Sequence, residues 1–303
     1  MQQRVLFIAS EFPIGNSSHF YYLVFLIGKS SRIFTQRNHT QNVTCKLKNM
    51  AKIICTFCNE KGNKSKEHIW PQWLQIELTG STKSNFRGTH ISLSGVRVVS
   101  ERNQSGKSLV FGAICENCNT GWMSNLESEF NPIFKKIKLD YNLIKTLNKK
   151  ERNIISLWGL KTAMMINSGS NYRQIIPEIH YSHLYKYRQI PKNVKIDIGH
   201  IISDDRLKWE QSNINMSLNK KQDVNNIDPY DLTKNSYVIT MQLENLGIKV
   251  SYYNNCKENG FQIPTSKFDK SIRIWPYSKN GNFDLKNNYK DISEMHMGTI
   301  LIR

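Results

Sequence analysis

The chain lacks any apolar run long enough to cross a membrane. A membrane-spanning helix needs ~18–20 consecutive apolar residues, and the best candidate, residues 20–28, has only about half that length. Its one upstream basic residue is Arg4, and Glu11 and Pro13 lie between the two, which is atypical of a secretory signal peptide. We therefore predict no membrane partner, and a signal peptide is the less favoured interpretation of this stretch.

Cysteine is also scarce, with six residues in a 303-residue chain. A secreted disulfide scaffold would be shorter and richer in cysteine. Two Cys-x-x-Cys pairs account for four of the six: Cys55 with Cys58, and Cys115 with Cys118. Two such pairs predict a tetrahedral structural zinc site, with a redox pair or unpaired core thiols as alternatives. Reduced thiolates that hold zinc favour a cytoplasmic protein. Cys45 and Cys256 have no ligand partner at a useful spacing.

Acidic residues are outnumbered, because 42 Lys and Arg face 24 Asp and Glu, giving a net charge of +18. A positive field of this kind favours a polyanionic partner, with nucleic acid first and an anionic membrane surface second. The alternative is a lysine-rich surface that is merely solvated. A hydrophobic content of 39% with 11% aromatic residues is typical of a globular protein and excludes wholesale disorder.

Changes in composition and hydrophobic pattern along the sequence predict an α+β protein in three parts. Residues 1–49 show no clear hydrophobic period, and we expect a poorly structured extension. Residues 50–138 contain both cysteine pairs and are predicted to form a zinc domain. Residues 139–303 are predicted to form a mixed, β-rich α+β domain whose role the sequence leaves open. We find no internal repeats and no low-complexity tract.

Hydrophobic periodicity predicts the main elements. Residues 80–88 are expected to form a loop, and weak alternation over 90–99 predicts a hairpin that turns at Ser94 and Gly95. A helix is expected from near Cys118 to Pro132. Asn148 and Glu151 resemble a capping box that opens a buried helix. Strands are predicted over 52–56, 109–111, 194–198, 237–241, 248–252 and 272–275.

Two short motifs carry the chemistry. Between the cysteine pairs, Glu67 directly precedes His68 in the pattern Glu-His-Ile-x-Pro-x-Trp. The second pair continues into Asn119 and the pattern Asn-x-Gly-Trp-Met, followed by Leu-Glu. Over about residues 52–130 the chain resembles the HNH, or ββα-metal, endonucleases. That resemblance implies a treble-clef zinc fold, in which two zinc knuckles, a hairpin and a helix surround one structural zinc ion.

The resemblance also implies a role for each residue. Glu67 and Asn119 would bind Mg²⁺ or Mn²⁺ through oxygen, which suits a hard cation. His68 would act as the general base on water, which suits a side chain that titrates near neutral pH. The four cysteines would be structural. The alternatives are a structural role for His68 and a helix-capping role for Asn119.

The sequence departs from the family pattern at two places. Met123 stands where many members have a third helix ligand, and it cannot bind a hard ion. The asparagine expected to orient the histidine is missing before the second cysteine pair, where a backbone carbonyl or Asn103 could replace it. Glu127 lies about 12 Å of helix rise beyond Asn119, too far to share an ion, and we interpret it as a supporting or structural residue.

Three functional hypotheses follow. The first is a metal-dependent endonuclease that hydrolyses DNA, with backbone contacts supplied by the basic C-terminal half. The second is a non-catalytic, zinc-stabilised module that binds nucleic acid. The third is a structural zinc protein whose basic half binds another protein or an anionic surface. The Glu67-His68 pair favours the first, because a pure binding module does not need a general base beside a carboxylate.

Overall fold

The structure is a computed structural model of a mixed α+β protein, as predicted. The predicted extension at 1–49 lies outside the described residues, as do Cys45, Cys256 and the predicted turn at Ser94 and Gly95. The described ranges are 51–83, 85–92, 97–106, 109–169, 174–213, 236–252, 270–277 and 288–297.

The strands fall into one large sheet and two small ribbons. The described strands are β1 Lys52–Ile54, β2 Lys61–Asn63, β3 Glu67–His68, β4 Asn85–Ser92, β5 Arg97–Ser105, β6 Val110–Phe111, β7 Val194–His200, β8 Leu207–Asn213, β9 Tyr237–Leu243, β10 Leu246–Tyr252 and β11 Ile272–Trp275. β1 pairs with β2, β3 pairs with β6, and the other seven form a sheet in the order β11-β7-β10-β9-β8-β4-β5. Within that sheet β4 and β8 are parallel, and the other neighbours are antiparallel.

Helices pack around these strands, and within the described part of the chain none is long and apolar enough to span a membrane. The described helices are α1 Gln72–Thr79, α2 Glu116–Cys118, α3 Ser124–Leu139, α4 Lys149–Gly169, α5 Glu178–Tyr187 and α6 Ile292–Met297. A π-helical turn, Asn119–Met123, joins α2 to α3, and a 3₁₀ turn, Tyr141–Thr146, follows α3.

The large sheet draws strands from both of the predicted domains. β4 and β5 belong to the predicted zinc domain, yet β4 pairs with β8 in register from Arg87 opposite Lys208 to His90 opposite Gln211. Asn49–Arg303 accordingly forms one compact unit, and the structure does not divide it at residue 138. The predicted loop at 80–88 also needs correcting, because β4 begins at Asn85.

Two long helices fill the space beside the sheet and the cysteine pairs. The capping box that opens α4 is confirmed, since Asn148 and Glu151 exchange two hydrogen bonds of 2.9 Å. Trp158 of α4 stacks on Phe130 of α3 with ring centroids 4.0 Å apart. The expected end of α3 at Pro132 is wrong: the helix continues to Leu139 because its apolar face does, burying Ile133, Phe134 and Ile137.

α6 covers the opposite face of the sheet. Two glycines permit the close approach of α6 and the residues before it. A Cβ added at Gly199 would lie 2.7 Å from the Tyr289 side chain, and one added at Gly247 would lie 2.3 Å from the Met295 side chain. His296 of α6 is fully buried. Its Nε2 lies 2.7 Å from the Ser212 hydroxyl and its Nδ1 lies 2.9 Å from that of Thr240, so both ring nitrogens are hydrogen-bonded.

The buried His296 predicts a loss of stability in acid. Burial, and secondarily Lys249, lowers the pKa of His296 from 6.5 to about 3. Between these values the unfolded chain binds the extra proton, so this stabilisation is complete above pH 6.5 and is lost as the pH falls toward 3. We expect the free energy of unfolding to fall by about 2 kcal/mol from pH 7 to pH 5 through this residue.

Urea denaturation at the two pH values measures this loss. His296→Asn is expected to reduce the difference between them. An equal pH dependence in wild type and His296→Asn would contradict the prediction.

Candidate functional site

The two cysteine pairs meet in one cluster. The Sγ atoms of Cys55, Cys58, Cys115 and Cys118 all lie within 4.8 Å of one another, and those of Cys58 and Cys115 are 3.7 Å apart. A tetrahedral shell with Zn–S bonds of about 2.3 Å places its sulfurs roughly 3.8 Å apart. The four thiols therefore fit a metal ion such as zinc, and three of the four side chains are buried.

The first pair lies on the turn between β1 and β2. The Asn59 N–H donates to the Cys55 carbonyl at 2.9 Å, and the Cys55 N–H donates to the Glu60 carbonyl at 3.0 Å. Asn59 has a φ of 59°, a left-handed conformation that asparagine tolerates better than most residues. This tight turn presents Cys55 and Cys58 toward the second pair. Gly62 of β2 then passes so close to Cys115 that an added Cβ would lie 2.8 Å from the Cys115 Cβ.

The close packing of the cysteine cluster shifts the pKa values of three of its thiols. A hydrogen bond from Cys118 lowers the pKa of the Cys55 thiol to about 4, and the same bond raises the pKa of Cys118. Burial raises the pKa of Cys58 to about 11. A bound zinc ion would offset the repulsion between neighbouring thiolates.

The same ribbons carry Glu67 and His68 to the second cysteine pair. Lys64 forms a β-bridge with Cys115, and the Ser65 N–H donates to the Ile114 carbonyl at 2.9 Å. β3 then pairs with β6, with Glu67 opposite Phe111. The chain that precedes Glu67 is thus tied to the chain that leads into α2, so the Cys115–Cys118 pair and the Glu67-His68 pair occupy the same part of the fold.

Glu67 and Asn119 come together in this region. The Asn119 amide N–H group donates toward the Glu67 carboxyl group, and Nδ2 also donates to the Ser65 hydroxyl. Burial raises the pKa of Glu67 to about 7, with Lys161 and Asn119 acting in the opposite direction. The π-helical turn that begins at Asn119 breaks at Gly121, and such turns are frequent at functional sites. The two residues predicted to hold a hard cation therefore lie together, but the amide nitrogen of Asn119 faces the carboxyl group, and Asn119 has to turn its amide over to present its oxygen there.

His68 has different partners. Consecutive strand residues point to opposite faces, so His68 diverges from Glu67 along β3. The Gln72 amide nitrogen lies 3.1 Å from His68 Nε2, while Nδ1 is buried without a hydrogen-bond partner in the described part of the chain. Asn103 does not orient the ring: it is exposed on β5, opposite Arg87. Met123 is buried in the core, away from any role as a ligand.

A buried ion pair that the sequence did not reveal lies behind Glu67. Lys161 of α4 is fully buried, and its Nζ pairs with Glu127 Oε1. The other oxygen of Glu127 accepts a 2.9 Å hydrogen bond from Trp73 Nε1. Both charges act on Glu67, since Lys161 lowers its pKa and Glu127 raises it. Glu127 therefore forms a buried ion pair, and its partner Lys161 is a residue that no local pattern in the sequence marks.

Removing Lys161 should destabilise the protein strongly. Lys161→Met leaves Glu127 charged and nearly buried, and breaking such a pair costs about 3–5 kcal/mol. Lys136→Met is the matched control, because Lys136 pairs with Glu151 at an exposed position and its loss should cost less than about 1 kcal/mol. Urea denaturation of the zinc-loaded proteins measures both effects. Similar values for the two variants would contradict the prediction.

No protein-family model, curated protein or solved structure matches the chain. The assignment of roles therefore rests on the side chains themselves. Those are the four clustered thiols, the bonded Glu67 and Asn119, and His68 beside them in sequence.

Proposed function

We propose that this protein is a metal-dependent endonuclease that hydrolyses DNA phosphodiester bonds, built on a treble-clef zinc fold of the HNH type. The observation that carries the proposal is the contact between Glu67 and Asn119. One residue lies in the ribbon between the cysteine pairs and the other directly follows the second pair. A purely structural zinc site does not require a half-buried carboxyl group and an amide to meet one residue away from a histidine.

Each metal site would have its own donor chemistry. The four cysteine thiolates suit a structural zinc ion with no open position. The Glu67 carboxylate and the Asn119 carbonyl oxygen suit Mg²⁺ or Mn²⁺, which retain several water ligands and need few protein donors. When bound there, the hard cation supplies charge neutralisation at the phosphate.

His68 would move the proton. The Gln72 amide nitrogen faces Nε2, which makes Nε2 the acceptor and leaves the ring proton on Nδ1. Once Gln72 turns aside, Nε2 can take a proton from a water molecule, and the oxygen of that water attacks phosphorus. The phosphorus bond to the leaving oxygen then breaks, and that oxygen takes a proton from solvent. The positive field of the chain would hold the phosphate backbone at the site.

A non-catalytic nucleic-acid-binding module is the second candidate. Two observations favour it: the pKa of Glu67 is raised to about 7, and Gln72 occupies the ring nitrogen that would accept a proton. Both features would keep the site idle until a cation and a substrate rearrange it. The two candidates share the zinc fold and the charge, and they differ only in whether DNA is cut.

A plasmid nicking assay separates the two candidates. Zinc-loaded wild-type protein is expected to convert supercoiled plasmid to open circles with added Mn²⁺ or Mg²⁺, and to bind the plasmid without cutting it when no divalent cation is added. Binding without nicking under every cation would reject the endonuclease and leave the binding module. A failure to bind at low salt would reject both.

A further inference from the structure

A groove opens where three helices meet beside the cysteine cluster. Its floor is apolar, formed by Leu126 of α3, Leu157 of α4 and Leu184 of α5, and Trp122 forms one wall. Its volume is ≈ 230 Å³, below the ~300–1,000 Å³ that drug-sized ligands occupy. The groove therefore suits a single flat ring system better than a larger molecule.

A cation lies at the edge of this groove. Arg188 ends α5 in a left-handed conformation with a φ of 52°. Its guanidinium carbon lies 4.6 Å from the centroid of the Trp122 ring and 4.8 Å from that of Tyr185. Among the described residues no carboxylate pairs with Arg188. Partial burial lowers the pKa of Arg188.

Polar groups complete the rim. Asn125 and Glu129 project from the same face of α3 and are exposed at the groove. Asparagine offers a donor and an acceptor, and glutamate accepts from ring N–H and amino groups. An apolar floor beside the Trp122 ring, a guanidinium for the phosphate and amide or carboxylate groups at the edge match the way that proteins hold unpaired bases.

We propose that this groove binds one unpaired nucleobase of the substrate strand, with the adjoining phosphate at Arg188. The inference rests on the proposed function, because it takes nucleic acid to be the partner of a chain with a net charge of +18. Trp122 stands three residues after Asn119, in the same π-helical turn, so the groove adjoins the candidate cation site. The protein should accordingly prefer single-stranded or frayed DNA over an intact duplex.

Fluorescence anisotropy with a labelled single strand of about 12 nucleotides, and with the matching duplex, tests the preference without divalent cations. Wild type is expected to bind the single strand more tightly. Arg188→Gln should weaken that binding about 10-fold, because it removes the charged hydrogen bonds to the phosphate and the guanidinium that borders the groove. Lys186→Gln removes the same charge from the same helix and should weaken it by less than about twofold. Arg188→Gln and Lys186→Gln should change the affinity for the duplex by the same amount.

Arg188→Lys separates the planar guanidinium from its charge and guards against a folding defect in the first variant. It keeps the charge but loses the planar fork that pairs with a phosphate through two N–H groups, so it should also weaken binding of the single strand. Three results would overturn the proposal. They are wild-type affinity for the single strand in Arg188→Lys, equal weakening by Arg188→Gln and Lys186→Gln, and equal affinity of wild type for both DNAs. Strand preference in a protein that never nicks plasmid would support the groove and refute only the proposed catalysis.

Discussion

Cys115→Ser is expected to abolish zinc binding and to unfold the protein around both cysteine pairs. Serine is a poor zinc ligand, and a structural ion needs all four thiolates. Binding of structural zinc contributes about 10–16 kcal/mol to folding in small domains, which is comparable to the whole stability of a typical protein. Cys115 also anchors the backbone, since it is bridged to Lys64 and packed against Gly62.

Metal analysis and circular dichroism measure this outcome. The wild-type protein should carry one zinc ion per chain and melt cooperatively, and Cys115→Ser should carry none and show no cooperative transition. Cys256→Ser is the matched control, because the same substitution removes a cysteine without a ligand partner in the sequence. A folded, zinc-free Cys115→Ser protein would show that the four thiols pack without needing a metal.

His68→Ala is expected to reduce plasmid nicking by about 10²–10⁴-fold, the range that general-base catalysis supplies. DNA binding should be unchanged, because phosphate contacts come from the many lysine and arginine side chains. The only hydrogen bond that the described residues make to the His68 ring is the exposed one from Gln72, so the substitution should disturb the fold little.

Two further variants make the His68 result specific. His183→Ala removes a histidine from the partly exposed side of α5 and should leave nicking unchanged. Gln72→Ala frees His68 Nε2 and should leave nicking unchanged or increase it. If His68→Ala nicks at the wild-type rate, another group acts as the base and our assignment is wrong.

The parts of this molecule that the sequence predicted are those set by local spacing. A Cys-x-x-Cys turn presents both sulfurs to one side, so Cys55 and Cys58 required no knowledge of the rest of the chain. The capping box at Asn148 and Glu151 is likewise a contact over three residues, and the structure has both of its hydrogen bonds.

Features that depend on distant contacts were not predictable in the same way. The pairing of β4 with β8 joins residues more than a hundred positions apart, so no local pattern marks it. Lys161 sits in an apolar helix where periodicity predicts only core, and its role depends on Glu127 of another helix. Pro132 was interpreted as a helix end, but packing of the following apolar turns outweighs the loss of one backbone hydrogen bond.

The proposed binding of a hard cation by Glu67 and Asn119 can be measured directly by Mn²⁺ titration with electron paramagnetic resonance. In zinc-loaded wild-type protein, the signal of free Mn²⁺ should be suppressed until one equivalent per chain is bound. Glu67→Gln should lose this binding. Glu116→Gln should retain it, because Glu116 is an exposed carboxylate beside the cysteine cluster. Absence of Mn²⁺ binding in the wild type, or equal binding by Glu67→Gln, would contradict the account.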